Sequence, residues 1–151
     1  MVARHSLWPP VLWANQVKPQ KRGIEEEELT EMHWEVYPEG IYTMLKQFAT
    51  YDKVKKIIVT ENGAAFPDEV VGGEVNDTRR KKFFQDYLGN VLKAKREGVP
   101  VEGYFVWTFL DNFEWAEGYK PRFGIVHVDF ETQKRIVKAS GRWWQKFLSE
   151  D

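Results

Sequence analysis

Cysteine is absent from this chain of 151 residues, which excludes disulfides, thiolate nucleophiles and cysteine-ligated metal sites. The sequence has no apolar run long enough to span a membrane, and its first residues, 1–5, lack the apolar core of a signal peptide. A strong excess of charge is also missing, because the formal net charge is -1. These features argue against membrane insertion and against the basic surface that nucleic-acid binding requires. We therefore expect a cytoplasmic protein whose partner is small or uncharged.

Aromatic residues, by contrast, are abundant. Seven tryptophans and an aromatic content of 15% exceed what the core of a chain of this size requires. Tryptophan rings fill cores, and they also pack on the C–H faces of sugars through apolar burial with a π contribution. Core packing remains the alternative for any single ring, but the composition as a whole indicates carbohydrate binding.

The hydrophobic pattern predicts an α/β domain in which helices alternate with strands. Three-and-four spacing of apolar residues marks the helices, whereas β-branched and aromatic residues mark the strands. The predicted elements are a helix from Pro38 to about Asp52, a strand over 56–60, a helix from Asp77 to about Arg96, a strand over 101–109, an extended segment over 123–129 and a final helix around 140–148. Strands that alternate with long helices form βαβ units, so we expect a parallel sheet.

Several polar segments lack this pattern. Residues 1–30 are expected to be irregular, as a loop or a damaged strand, and to lie outside the domain formed by residues 31–151. The acidic run 25–28 is expected to be a solvated segment, and residues 67–73 a loop. The basic run 79–82 opposes the dipole of the second helix, so we expect a solvated face or pairing with acids elsewhere.

The first predicted strand delivers a carboxylate onto a turn. The run Ile57-Ile58-Val59-Thr60 is typical of a strand buried on both faces, and it is followed by Glu61 and then by Asn62-Gly63, which ends the strand. Glu61 therefore lies at the carboxyl end of a strand, where α/β proteins place ligands and reactive groups. The alternative is that Glu61 is only a solvated loop residue, and this stretch alone does not decide between the two.

Several longer motifs occur in a fixed order with this one. They are Trp34-Glu35-Val36-Tyr37-Pro38-Glu39-Gly40, Thr60-Glu61-Asn62-Gly63, the segment from Trp107 to Tyr119, Arg122-Phe123-Gly124-Ile125-Val126, and the segment from Asp129 to Arg135. Together they closely resemble glycoside hydrolase family 1, the β-glucosidase family. The resemblance implies that residues 31–151 form the C-terminal part of a (β/α)8 TIM barrel, about its last two to three β/α units, which is incomplete as a single chain.

The resemblance also implies roles for individual residues in a retaining β-glycosidase. Glu61 would be the nucleophile that forms the glycosyl-enzyme. Glu114 and Trp115 would hold hydroxyls of the sugar at the cleavage point, above a stacking floor formed by Trp107. Phe123 would form a wall of the pocket, and Trp34 would line the leaving-group side. These types suit a sugar, which needs carboxylate acceptors, an indole N–H donor and an apolar floor.

The catalytic acid/base of this family has no counterpart in the sequence. The family carries its acid/base on an Asn-Glu-Pro motif, and no Asn-Glu-Pro occurs between Met1 and Asp151. The resemblance therefore implies hydrolysis of terminal β-D-glucosidic bonds in which this chain supplies the nucleophile and the sugar pocket but not the acid/base. The alternatives are an inactive sugar-binding remnant, one half of a split barrel, or a truncated product without a function of its own.

The expected partners follow from this incompleteness. We expect a β-glucoside or oligosaccharide as substrate, and either self-association or a complementary N-terminal barrel fragment, because an open barrel fragment exposes strand edges. No Lys/Ser cluster follows Trp115, which disfavours 6-phospho sugars. No metal or organic cofactor is expected, since carboxylates perform the chemistry in this family and the three histidines lack the spacing of a metal site.

Overall fold

The computed structural model describes residues 29–150, so the expectations for residues 1–28, including the acidic run 25–28, lie outside the described residues. Three helices and three two-stranded sheets make up this part of the chain. In chain order they are α1 (Pro38–Phe48), β1 (Ile57–Asn62), β2 (Val70–Val71), β3 (Glu74–Val75), α2 (Thr78–Arg96), β4 (Val101–Val106), β5 (Val126–Val128), β6 (Arg135–Val137) and α3 (Ala139–Ser149). No helix among residues 29–150 is long and apolar enough to cross a membrane.

Strands β1 and β4 form the parallel pair that the alternating pattern predicts. Their register aligns Ile57 with Val101 and Asn62 with Val106, and α2 is the crossover helix between them. This β1-α2-β4 unit brings the carboxyl ends of both strands to the same edge of the sheet. The segments that follow the two strands therefore lie side by side.

Helices cover only one face of this pair. On the covered face, Ile57 and Val59 pack with Val101 against α1 and α2. On the other face, Ile58 is 51% exposed and Phe105 is 59% exposed. The expectation that the first strand is buried on both faces is therefore wrong, because no element within residues 29–150 packs on the face that carries these two side chains.

The core lies between the sheet and the three helices. Leu45 of α1 packs with Val91 and Ala94 of α2, which joins the first two helices. Further along α2, the Phe84 ring meets the Trp144 ring of α3 edge to face, with centroids 5.7 Å apart. These contacts anchor α1 and α3 on α2, which has the most buried face of the three helices.

The bounds of two predicted elements are shorter than expected. Helix α1 ends at Phe48 rather than near Asp52, because the Thr50 hydroxyl and backbone N–H donate to the carbonyl of Gln47 and close the helix in a turn. Strand β4 ends at Val106 rather than at residue 109. From Thr108 onwards, the chain leaves β1 and exchanges backbone hydrogen bonds with residues 123–126 instead.

The expected loop at residues 67–73 contains part of a small hairpin. Val70–Val71 pairs antiparallel with Glu74–Val75 across a turn made of Gly72 and Gly73. Both glycines have positive φ, 59° and 84°, which is the conformation that a two-residue hairpin turn requires. The Gly72-Gly73 pair is thus a hairpin signal in the sequence.

The basic run at the start of α2 divides between two environments. Arg80 is fully buried, and its Nη1 lies 2.8 Å from Asp68 and 2.7 Å from Asp77. Lys82 is exposed and pairs with Asp86 one turn along the helix. The solvated alternative is therefore wrong for Arg80, and the expectation of pairing with acids is confirmed.

Asp77 directly precedes α2, but its side chain makes no capping hydrogen bond. Its carboxylate instead accepts hydrogen bonds from Arg80 and from the backbone N–H and hydroxyl of Ser140, at 2.8 and 2.5 Å. Because Ser140 lies in the first turn of α3, this single carboxylate ties the starts of α2 and α3 together.

Candidate active site

One open pocket of about 400 Å³ lies at the carboxyl end of the parallel pair. Its lining is formed by Trp34, Glu61, Gly63, Trp107, Glu114, Trp115 and Phe123. All six site residues that the sequence singled out therefore line the same pocket. They come from four separate segments of the chain, so the fold rather than sequence proximity brings them together.

Glu61 is the penultimate residue of β1 and is exposed to solvent. Within residues 29–150 its carboxylate has no hydrogen bond and no salt bridge. Its position at the pocket is therefore set by the backbone of β1. A carboxylate held in this way remains free to react with a ligand in the pocket.

The end of β1, at Asn62 and Gly63, packs closely against Trp107, which directly follows β4. The Trp107 N–H donates to the carbonyl of Asn62 at 2.9 Å, which extends the pairing of β1 and β4 by one step. A Cβ on Gly63 would lie 1.5 Å from the Trp107 carbonyl oxygen, so no other residue fits there without separating the two segments. The peptide between Trp107 and Thr108 is cis. These contacts place the Trp107 ring beside Glu61.

Glu114 and Trp115 lie on a tight loop further along the chain, after Trp107. Its two ends are joined because the Glu114 N–H donates to the carbonyl of Gly118 at 2.6 Å, around a short 3-10 helix of Trp115–Glu117. Trp115 has a φ of 41° and is 81% exposed, so the indole projects into the open part of the pocket. The half-buried Glu114 carboxylate lies beside it.

Phe123 and Trp34 form the opposite wall. Phe123 is 2% exposed, and its ring lies 6.1 Å from that of Trp34, tilted by 49°. Trp34 is held by a local turn, because its N–H donates to the Thr30 hydroxyl and its carbonyl accepts from the Thr30 N–H. The neighbouring Glu31 N–H donates to Ala65, which fixes this turn beside the exit of β1.

A buried network of charges supports the segment between β4 and the Glu114 loop. The Asp111 carboxylate accepts hydrogen bonds from the Lys138 ammonium and from the Gly124 N–H, both at 2.8 Å. Lys138 also pairs with Asp68, which in turn pairs with Arg80. Sequence reasoning missed this network, because its members come from distant segments and no local pattern marks them.

The same network contains the one group of side chains, among residues 29–150, that could hold a metal ion. Asp68, Asp111 and His127 offer ligand atoms within 4.8 Å of one another. The ammonium of Lys138 already contacts both carboxylates. Burial lowers the pKa of His127 although the charge of Asp111 opposes this, so the imidazole is neutral at pH 7. The position between the two carboxylates is thus taken by a cation of the protein.

The chemistry of the pocket suits a ligand with both hydroxyl groups and apolar faces. Two carboxylates, Glu61 and Glu114, can accept hydrogen bonds, and the indoles of Trp107 and Trp115 offer both N–H donors and flat faces.

Comparison with known proteins agrees with the motifs. A family model described as Glycosyl hydrolase family 1 matches residues 13–151. Beta-glucosidase A of Thermotoga maritima is 49% identical over 136 residues, which are 88% of this chain and 30% of that protein. A 6-phospho-beta-galactosidase of Clostridium acetobutylicum is 42% identical over 122 residues, 80% of this chain and 26% of that protein. The structure of a beta-glucosidase from Thermotoga maritima in complex with glucoimidazole superposes with a TM-score of 0.78 and 52% identity, covering 80% of this chain and 28% of that chain.

The chain therefore belongs to glycosyl hydrolase family 1. It spans about 30% of the length of the beta-glucosidase from Thermotoga maritima. The predicted family and the predicted partial α/β barrel are both confirmed, and residues 29–150 form no closed barrel. The match to the family model begins at residue 13, further towards the N-terminus than the motifs.

Proposed function

We propose that this chain supplies the nucleophile and the sugar pocket of a retaining β-glucosidase. The observation that supports the proposal is the convergence of Glu61, Glu114 and three tryptophans on one pocket at the carboxyl end of parallel strands. That edge is where barrel enzymes carry their chemistry. The relatives named above include a beta-glucosidase, which agrees with this assignment.

In the proposed reaction, the Glu61 carboxylate attacks the anomeric carbon while the bond to the aglycone oxygen breaks. The ester that results is hydrolysed by water, and the anomeric configuration is retained after two inversions. Trp107 lies beneath the sugar and Glu114 with Trp115 binds its hydroxyls. Phe123 walls the pocket, and Trp34 borders the departing aglycone.

This mechanism needs a second carboxyl group about 5 to 5.5 Å from the nucleophile, to protonate the aglycone oxygen and then activate water. The family's Asn-Glu-Pro motif, which carries that group, is absent from the sequence. We propose that a complementary polypeptide supplies it. The partner would contribute the preceding β/α units of the barrel.

The open face of the sheet is the surface that such a partner would cover. Ile58 and Phe105 lie on the same face as Gly103, where a Cβ would meet them at 3.1 and 3.5 Å. Parallel sheets are normally covered on both faces, so a parallel pair with two large apolar side chains on a bare face is suited to further strands. Self-association of this chain through the same face is the other outcome.

Complementation tests the proposal. The chain is mixed with a polypeptide that carries the preceding β/α units of a family 1 beta-glucosidase, and release of an aryl aglycone from a β-glucoside is followed. We expect hydrolysis with the mixture, and none when Glu61→Gln replaces the wild-type chain. A Glu131→Gln chain, changed at an exposed carboxylate outside the pocket lining, should retain activity. Equal activity of the Glu61→Gln mixture would overturn the proposal.

A sugar-binding remnant is the second candidate, because the side chains that line the pocket can bind a sugar without a second catalytic carboxyl group. Such a chain would bind glucose or cellobiose through Trp107, Glu114 and Trp115 without turnover. Calorimetry with glucose, combined with the hydrolysis assay, separates the two. Binding without hydrolysis in the complemented mixture would support the remnant.

The identity of the sugar is a finer question. Both a beta-glucosidase and a 6-phospho-beta-galactosidase are among the relatives. After Trp115 this chain has Ala116 and the acidic Glu117, and a carboxylate there would repel a sugar phosphate. We therefore propose a sugar without a 6-phosphate as the substrate.

A further inference from the structure

The residue after the proposed nucleophile is held more firmly than the nucleophile itself. No side chain within residues 29–150 binds the Glu61 carboxylate, so its placement depends on the end of β1. Asn62 is the residue that anchors this end, because two groups of the neighbouring segment bind it. The Trp107 N–H donates to its carbonyl at 2.9 Å, and the Tyr104 hydroxyl donates to its Oδ1 at 2.6 Å.

Tyr104 is itself fixed on the helix-covered side of the sheet. Its ring stacks on that of Trp144 in α3, with centroids 5.9 Å apart and planes inclined by 27°. Burial raises the pKa of Tyr104, so the hydroxyl keeps its proton and remains a donor to Asn62. The hydroxyl thus connects the packed helix layer to the end of the strand that presents Glu61.

The side chains of Asn62 and Glu61 lie on different sides of β1. Asn62 faces the helices, where its Oδ1 accepts the hydrogen bond from Tyr104, while Glu61 lines the pocket. A bond on the helix side can therefore fix the strand end without occupying the pocket. The pairing between β1 and β4 is irregular between Val59 and Asn62, where the register shifts. The side-chain bond lies at one of the two points where the backbone pairing of β1 and β4 is irregular.

We propose that Tyr104 and Asn62 are positioning residues, which hold the end of β1 so that Glu61 is aligned for attack on the anomeric carbon. The effect on Glu61 as a nucleophile rests on the proposed function. The proposal that Tyr104 and Asn62 fix the end of β1 does not rest on the proposed function, because it concerns contacts within this chain alone. The two parts can therefore be tested by separate measurements.

Amide hydrogen exchange of the full chain tests the hold on the strand end. Tyr104→Phe keeps the stacked ring and removes only the hydroxyl. We expect exchange of the Trp107 N–H to accelerate by about tenfold. The Ile57 N–H, which donates to Pro100 at the opposite end of β1, should be unchanged.

Tyr87→Phe is the matched control. The Tyr87 hydroxyl accepts a hydrogen bond from the Tyr37 N–H at 3.0 Å, and its ring stacks on Phe83 with centroids 4.1 Å apart. This variant also removes one hydroxyl from a stacked ring, but that hydroxyl bonds Tyr37 and not Asn62. It should leave the exchange of the Trp107 N–H as in the wild type.

Covalent trapping tests the effect on the nucleophile. In the complemented mixture, a 2-deoxy-2-fluoro β-glucoside should label Tyr104→Phe about tenfold more slowly than the wild type, with glucose affinity unchanged. Asn62→Ala should slow labelling similarly, and the double variant should be no slower than either, because both changes remove the same contact.

The outcomes separate the two claims. Unchanged exchange at Trp107 in Tyr104→Phe, or labelling of this variant at the wild-type rate, would overturn the positioning role. Additive effects in the double variant would also overturn it. If the wild-type mixture is not labelled at all, the proposed function fails, and the exchange measurement still decides whether Tyr104 holds the end of β1.

Discussion

The ammonium of Lys138 lies 2.8 Å from Oδ1 of Asp111, and neither side chain is exposed to solvent. Lys138 directly precedes α3, whereas Asp111 lies between β4 and the loop that carries Glu114. The same Asp111 oxygen accepts a hydrogen bond from the Gly124 N–H, next to Phe123 of the pocket. This ion pair therefore joins the helix layer to two segments that line the pocket.

Loss of the Lys138 charge should destabilise the chain strongly. Burial lowers the pKa of Lys138, so the ammonium itself gains little from the site. Its removal, however, leaves Asp68 and Asp111 buried without this partner. We expect Lys138→Met to reduce the free energy of unfolding by about 3 to 5 kcal/mol, measured by urea denaturation.

Lys146→Met is the control for this experiment. Lys146 pairs with Glu150 on the exposed side of α3, where both side chains remain in water. Exposed pairs contribute little, so this variant should denature at the wild-type urea concentration. Equal stability of Lys138→Met and the wild type would show that the buried network does not depend on its lysine.

Stability should depend on pH through His127. Burial is the main cause of its lowered pKa, and Arg122 and Lys138 act in the same direction against the charge of Asp111. The unfolded chain therefore binds this proton more tightly than the folded chain. Stability is fully present above the unfolded pKa of about 6.5 and is lost as the pH falls through that value towards the lower folded pKa.

The comparison variant for this pH effect is His127→Gln. Between about pH 7.5 and about pH 5.5, thermal denaturation should show a smaller loss of stability for His127→Gln than for the wild type. A wild-type slope in His127→Gln would contradict this assignment.

A methyl group at Gly63 should disrupt the pocket. Its Cβ would lie 1.5 Å from the Trp107 carbonyl oxygen, so the exit of β1 must move away from Trp107. We expect Gly63→Ala to lose about 1 to 3 kcal/mol and to lose labelling of Glu61. Gly89→Ala, in open space on α2, should instead stabilise by about 0.5 to 1 kcal/mol, since alanine favours the helix. Full labelling of Gly63→Ala would show that the close approach is not required.

Phe105 should contribute to binding of the complementary barrel polypeptide. Its ring lies on the bare face of the parallel pair, and a charge there would have to be buried when further strands dock. We expect Phe105→Glu to raise the Kd of the complex by about tenfold or more, measured by analytical ultracentrifugation. Leu148→Glu, which changes a side chain of α3 that is 70% exposed, should bind as the wild type does. Equal weakening by both variants would place the interface elsewhere.

The sequence predicted the parts of the fold that depend on local signals. Helix α2 begins after Asp77 and ends at Arg96 as its periodicity predicts, and β1 and β4 occur in the expected parallel arrangement. The pocket could also be anticipated, because each of its residues follows a strand or lies in a recognisable motif. Short-range patterns and motif order carry that information.

The parts that were wrong depend on contacts between distant segments. Arg80 resembles its exposed neighbours in sequence, and only the fold brings Asp68 to it, whereas Asp77 lies three residues away at the start of α2. Likewise, Ile58 lies in an apolar run that indicates burial, but burial requires a neighbouring element. No local pattern records which faces another element covers.

Mass spectrometry of the trapped intermediate tests whether Glu61 is the nucleophile. The chain, mixed with the complementary barrel polypeptide, is incubated with a 2-deoxy-2-fluoro β-glucoside, and the peptides of both partners are mapped. We expect one fluorosugar attached to Glu61, and no adduct on this chain when Glu61→Gln is used. An adduct on any other residue of this chain, or full labelling of Glu61→Gln, would contradict the assignment of Glu61 as the nucleophile.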